Sequence, residues 1–199
     1  MKKIIFFLLL LLLSVFSSTC FAQSGLVGCY PLDNNANDYS GFQNNGTDYN
    51  LSAVPDRFGN ASGASYFVGS GRSVLVSDSN FHFNTYTYSL WCYFDSLPFA
   101  GEYYALIAAG GNTADQSVLL GNNATFGHIG FGFGSWDSFP APHACYQGFL
   151  PAINQWYHVV AVRDSCVIKL FINDTLVCIQ TPGLRAGDIG TPLTSVSFG

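Results

Sequence analysis

What most limits this chain is a periodicity it lacks: after Ala22 no window repeats apolar residues at i, i+3 and i+4 long enough to bury one face of a helix. Short β-branched and aromatic runs, each closed by Gly, Asn, Asp, Ser or Pro, recur instead. Composition agrees. Glu102 is the only glutamate among 199 residues, against 21 glycines, 18 phenylalanines, 11 tyrosines and 3 tryptophans, a poor stock for helices. The pattern predicts strands at Leu26–Tyr30, Ser65–Val68, Ser73–Ser77, Thr85–Phe94, Tyr104–Ala108, Val118–Gly121, Phe126–Phe133, Trp156–Arg163, Val167–Ile172, Leu176–Ile179 and Thr194–Phe198. So many short strands suit an all-β, two-sheet antiparallel sandwich of jelly-roll type.

The first 22 residues stand apart. Met1-Lys2-Lys3, the ten-residue apolar run Ile4 to Leu13 and the exit Cys20-Phe21-Ala22 read as a secretory signal peptide, 1–22, followed by one domain, 23–199. The run is too short to span a bilayer, which takes roughly 20 residues, so no transmembrane segment is expected. Cys20 as a lipidated residue is the rival, weakened by Ser17 and Thr19 where lipidation favours a branched apolar and a small residue. Without Lys2 and Lys3, five basic groups face twelve acidic ones, a formal charge of −7, which argues against nucleic acid as partner.

Five cysteines follow Ala22: Cys29, Cys92, Cys145, Cys166 and Cys178. With an odd number, at least one thiol stays unpaired within the chain. The sharpest hairpin signal is Val167–Ile172, then Asn173-Asp174, then Thr175–Cys178. If Asn173 and Asp174 are the turn, Cys178 faces Lys169 and Cys166 points to the other side, which argues against a Cys166–Cys178 bridge. Residues 33–60 show little strand pattern and many Asn, Asp and Gly, reading as a long ordered loop held by Asx turns or by a cation.

Read in order, five stretches resemble the laminin G-like modules of the concanavalin A-like lectin/glucanase superfamily. They are Leu26–Asp33 with Asn35–Gly41 and Asn44–Thr47; Asp56–Asn60 leading into Ala64–Phe67; Tyr88–Trp91; Gln155–Val160; and Lys169–Asp174. The resemblance implies a jelly-roll sandwich and further closing strands, so that Ser197-Phe198-Gly199 would mark a truncation, with an exposed sheet edge and other domains of a longer parent chain. It also raises two chemistries. Glucanases of the superfamily use two glutamates around an aspartate on one strand, and one glutamate cannot supply that pair; retaining enzymes need carboxylates about 5–5.5 Å apart. A structural calcium is the other, with Asp38 and Asn45 as ligands in the oxygen-rich stretch Asp38–Gly46, against Asx turns satisfying their own backbone.

Other motifs carry little. His82, His128, His143 and His158 lack zinc or protease spacing, and Gly130-Phe131-Gly132-Phe133-Gly134 has no helix after it to hold a phosphate. Trp91 and Trp156 lie in strongly patterned strands and read as core or sheet-face packing. The recognition candidate is the loop Ser135–Gln147, where Trp136 and Tyr146 would stack on sugar rings while Asp137 and His143 hydrogen-bond hydroxyls; the alternative is that Trp136 and Phe139 only seat the loop. The expectation is a secreted or cell-surface, non-catalytic module that recognises a glycan or an extracellular protein in adhesion. Its rivals are a structural spacer and an enzyme with an aspartate pair.

Overall fold

The computed structural model describes residues 25–67, 73–77, 81, 83, 85–109, 116–135, 144–164, 167–181 and 196–198. Its strands are β1 (Thr47–Tyr49), β2 (Ser52–Val54), β3 (Ala64–Tyr66), β4 (Ser73–Val76), β5 (Thr85–Tyr93), β6 (Tyr103–Ala109), β7 (Gln116–Asn123), β8 (His128–Ser135), β9 (Ala144–Tyr146), β10 (Trp156–Asp164), β11 (Val167–Ile172), β12 (Thr175–Gln180) and β13 (Val196–Phe198). One 3-10 turn, Ala124–Phe126, joins β7 to β8. No helix among the described residues is long and apolar enough to cross a membrane.

A seven-stranded sheet runs β1-β4-β13-β6-β7-β8-β9, a four-stranded sheet β12-β11-β10-β5, and β2 and β3 form a separate ribbon. Every pairing is antiparallel, and β13 lies between β4 and β6. Period-two alternation builds the core between the sheets. Val74, Val76, Val118, Leu120, Phe131 and Phe133 from the larger sheet meet Val159, Ala161, Leu170 and Ile172 from the smaller. Residues at fixed parity thus lose nearly all contact with water, at roughly 25 cal/mol per Å² of apolar surface buried.

Ten of the eleven expected strands match strands of the fold, with shifted ends; Leu26–Tyr30 does not. That segment is held by irregular contacts: Tyr39 N donates to Cys29 O at 2.8 Å, and the Asn44 amide to Val27 O at 2.9 Å. The segment read as a long loop contains β1 and β2, each three residues long and too short to show an alternation. β9, also three residues, went unseen for the same reason.

The hairpin departs from its expected register. Asn173 and Asp174 adopt φ of 47° and 64°, and Ile172 pairs with Thr175 as predicted. A bulge then shifts the ladder, so that Phe171 pairs with Leu176 and Leu170 with Cys178. Cys178 therefore leaves the side of Lys169 for the inner side of Leu170, where it bonds Cys145 of β9 across the sandwich, with Cα atoms 5.6 Å apart. Cys29 and Cys92 are free thiols. Burial pushes the inward-facing Cys92 thiol up to about 12. Cys166 lies outside the described residues.

Candidate functional site

The same alternation that buries Tyr86, Tyr88, Leu90 and Cys92 of β5 turns Ser89, Trp91 and Tyr93 outward, and on β10 it turns Trp156 and His158 outward. The register sets these side by side, His158 opposite Trp91 and Trp156 opposite Tyr93. The outer face of the four-stranded sheet consequently carries an aromatic platform. Trp91 and Tyr93 are each 45% exposed. The Trp91 and His158 rings stack at 4.8 Å and 12°, while Tyr93 tilts against Trp156 at 5.6 Å.

Polar groups fix this platform. His158 Nε2 lies 2.9 Å from Ser89 Oγ, and Nδ1 lies 3.8 Å from an Asp174 carboxylate oxygen. The hairpin turn grips the His158 backbone from both sides: His158 N donates to Asn173 Oδ1 and Asn173 N to His158 O, each at 2.9 Å. The Tyr93 hydroxyl donates to Asn154 Oδ1 at 3.3 Å.

A turn outside the sheet completes the array. The Asp56 carboxylate accepts from Phe58 N (2.8 Å), Asn60 N (2.9 Å) and Asn60 Nδ2 (2.9 Å), so the backbone closes tightly around it. The Asn60 side chain, with the Phe58 amide and the nearby Arg57 charge, holds the Asp56 carboxyl below its ordinary value against a smaller opposing effect of desolvation. The turn delivers Arg57, whose guanidinium carbon lies 4.2 Å from the Phe58 ring centroid and 4.5 Å from that of Trp91. Phe58, Arg57, Trp91 and His158 thus form one continuous stack.

Of the residues nominated from sequence, Trp136, Asp137 and His143 lie outside the described residues. Tyr146 is half-buried on the outer face of the larger sheet. Its ring stacks on His128 at 4.4 Å and 8°. It also lies against Gly132, where a Cβ would come within 2.3 Å of the ring. Burial, then the neighbouring Tyr103, pushes the Tyr146 phenol up, while burial pushes His128 down and favours its neutral form. The Tyr103 hydroxyl sits 3.3 Å from His128 Nδ1.

Asp38 and Asn45 are brought together, but around backbone. Asp38 Oδ1 accepts from Cys29 N (2.9 Å) and Ser40 N (2.8 Å), and Oδ2 from Ser40 Oγ (2.7 Å) and Asn44 N (3.0 Å). Asn45 Oδ1 accepts from Asp38 N at 2.9 Å. Four donors fill the roughly four lone-pair sites of a carboxylate, which is the Asx-turn alternative to a cation site. Desolvation raises the Asp38 carboxyl, and these hydrogen bonds outweigh it to hold the group below its ordinary value. No cluster of three or more His, Cys, Asp or Glu suited to a metal occurs among the described residues. Glu102 is exposed, its carbonyl accepting from Asn122 N at 3.0 Å.

A family model described as the concanavalin A-like lectin/glucanases superfamily matches residues 68–192. No curated protein matches the chain by sequence. Among solved structures, domain 4 of AbnA, a GH43 extracellular arabinanase from Geobacillus stearothermophilus in complex with arabinotriose, has a TM-score of 0.64 at 17% identity over 85% of this chain and 81% of that one. Botulinum neurotoxin type C, whose cell entry is dependent upon interaction with two ganglioside molecules, has a TM-score of 0.52 at 16% identity over 86% and 41%. The binding domain of botulinum neurotoxin DC, in complex with SialylT, has 0.50 at 16% over 87% and 42%. At such identities the likeness is one of fold, and this chain spans about two fifths of the two neurotoxin chains.

Proposed function

This chain belongs to the concanavalin A-like lectin/glucanases superfamily, and from that premise we propose that it is a non-catalytic carbohydrate-binding module working outside the cell, in adhesion or glycan recognition. The observation that carries the reading is the platform of exposed Trp91 and Tyr93 with half-buried Trp156, flanked by Ser89, His158, Asn154 and Asp174. Aromatic surface takes the C–H face of a sugar, and amide, hydroxyl and carboxylate groups beside it take the hydroxyls. The glycan complexes of fold neighbours support the same reading. An exported setting is supported by the signal-like residues 1–22 and by the Cys145–Cys178 disulfide, which suits an oxidising compartment.

A glycan array probed with the full chain tests this. Glycan binding should fall about five- to tenfold in each of Tyr93→Ala and Trp156→Ala, with unfolding midpoints close to that of the wild type. Trp136→Ala tests the 135–147 loop in parallel. Binding that survives both platform substitutions but not Trp136→Ala would move the site to that loop. Absence of any glycan binding would overturn the function, and reducing-sugar release from a polysaccharide panel would overturn its non-catalytic character.

A further inference from the structure

We propose that the platform selects carboxylate-bearing saccharides, with Arg57 as the group that takes the carboxylate. The inference rests on the carbohydrate-binding reading above and names the class of sugar. Its starting point is that, among the described residues, no carboxylate lies within salt-bridge distance of Arg57, although its charge acts on the neighbouring Asp56. The adjacent Asp56 spends its oxygens on Phe58 N, Asn60 N and the Asn60 amide. Arg57 is exposed, yet its position is set by two rings, Phe58 at 4.2 Å and Trp91 at 4.5 Å.

A guanidinium held against two aromatic rings still carries five N–H donors, and no carboxylate among the described residues lies within salt-bridge distance of them. That planar fork matches a planar carboxylate with two parallel, charge-assisted hydrogen bonds, and holding it in advance reduces the entropy lost on binding. Charge over the rest of the face agrees with one orientation. Beyond Trp91, His158 has Ser89 on one nitrogen and the exposed Asp174 near the other. That end repels an anion and suits hydroxyl donors. Asp95 is occupied by the Tyr66 and Ser96 hydroxyls. A saccharide across the platform would place its carboxylate at Arg57 and neutral hydroxyls toward His158 and Asp174.

The test uses an array of sialylated and uronic-acid glycans, each beside its desialylated or carboxyl-reduced counterpart, with sulfated glycans as a third arm. For the best carboxylated hit, calorimetry on wild type, Arg57→Gln and Arg57→Lys gives the acidic-to-neutral affinity ratio. The wild type should favour the acidic glycan about ten- to a hundredfold, as charge-assisted pairs do. That ratio should collapse toward one in Arg57→Gln, recover only in part in Arg57→Lys, and shrink with added salt. A ratio unchanged in Arg57→Gln, or a preference for sulfated over carboxylated glycans, overturns the inference. Binding of neutral glycans alone, still dependent on Tyr93 and Trp156, overturns it while leaving the carbohydrate-binding reading standing. Binding of no glycan overturns both.

Discussion

Breaking the Cys145–Cys178 bond should lower stability substantially, because the bond ties β9 of one sheet to β12 of the other across a sequence separation of 33 residues. The chain-entropy relation for a closed loop of that length gives about 4 kcal/mol at 25 °C. For a domain of this size each kcal/mol moves the midpoint by about 2–4 °C, so a drop of about 8–16 °C is expected. Cys145 is fully buried and Cys178 partly so, and removing their sulfurs adds a smaller packing loss. Differential scanning calorimetry would compare the wild type with the Cys145→Ala/Cys178→Ala double variant, which leaves no orphan thiol at either position. Peptide mapping under non-reducing conditions would identify the bonded pair. A midpoint shift under 2 °C, or Cys178 found bonded to Cys166, would refute both the bulged register and the cross-sheet tie.

Asp38→Asn removes a carboxylate that accepts four hydrogen bonds and should cost about 2–4 kcal/mol at neutral pH, read from chemical denaturation. Because the folded Asp38 carboxyl lies below its unfolded value, its contribution is present above the unfolded value and is lost as pH falls through the folded one. Wild type and variant should therefore converge in acid; a gap that persists at low pH contradicts this. With those lone pairs occupied, thermal midpoints in calcium and in chelator should coincide, and a rise with calcium would restore a cation site at Asp38 and Asn45. At Gly130, φ is +81° and a Cβ would lie 2.0 Å from the Phe149 carbonyl oxygen, whereas at Gly132 it would press on the Tyr146 ring. Gly130→Ala should thus destabilise more than Gly132→Ala, which is expected to cost about 1–3 kcal/mol; the reverse order in denaturant melts would contradict that geometry.

Parity alone carries a long way in this chain. Tyr88, Leu90 and Cys92 alternate with Ser89, Trp91 and Tyr93, so one set must face a core and the other must leave it, and the same holds for Trp156–Arg163. An all-β sandwich follows from such runs because each has one oily face to bury and no helical stripe to offer. The exposed tryptophan was legible in that alternation too. Of the two packing places that the sequence left open for Trp91, core or sheet face, the structure has the second, against His158 and Arg57.

What the sequence could not determine are the relations between segments far apart in the chain. Local alternation says which residues share a face of one strand, but not which strand lies beside it or which turn folds over it. Arg57 and Trp91 are 34 positions apart and meet only because the Asp56 turn packs on the outer sheet. The Leu170/Phe171 bulge likewise defeats a two-residue-turn register, since one extra residue reverses the facing of Cys178 and brings it to Cys145. Three-residue strands such as β1 and β9 hold no period to read and exist because a neighbour supplies their hydrogen bonds. The sequence by itself determined the class of fold and the facing of its long strands; tertiary structure decided the partners, because pairing and stacking energies depend on contacts that no local pattern encodes.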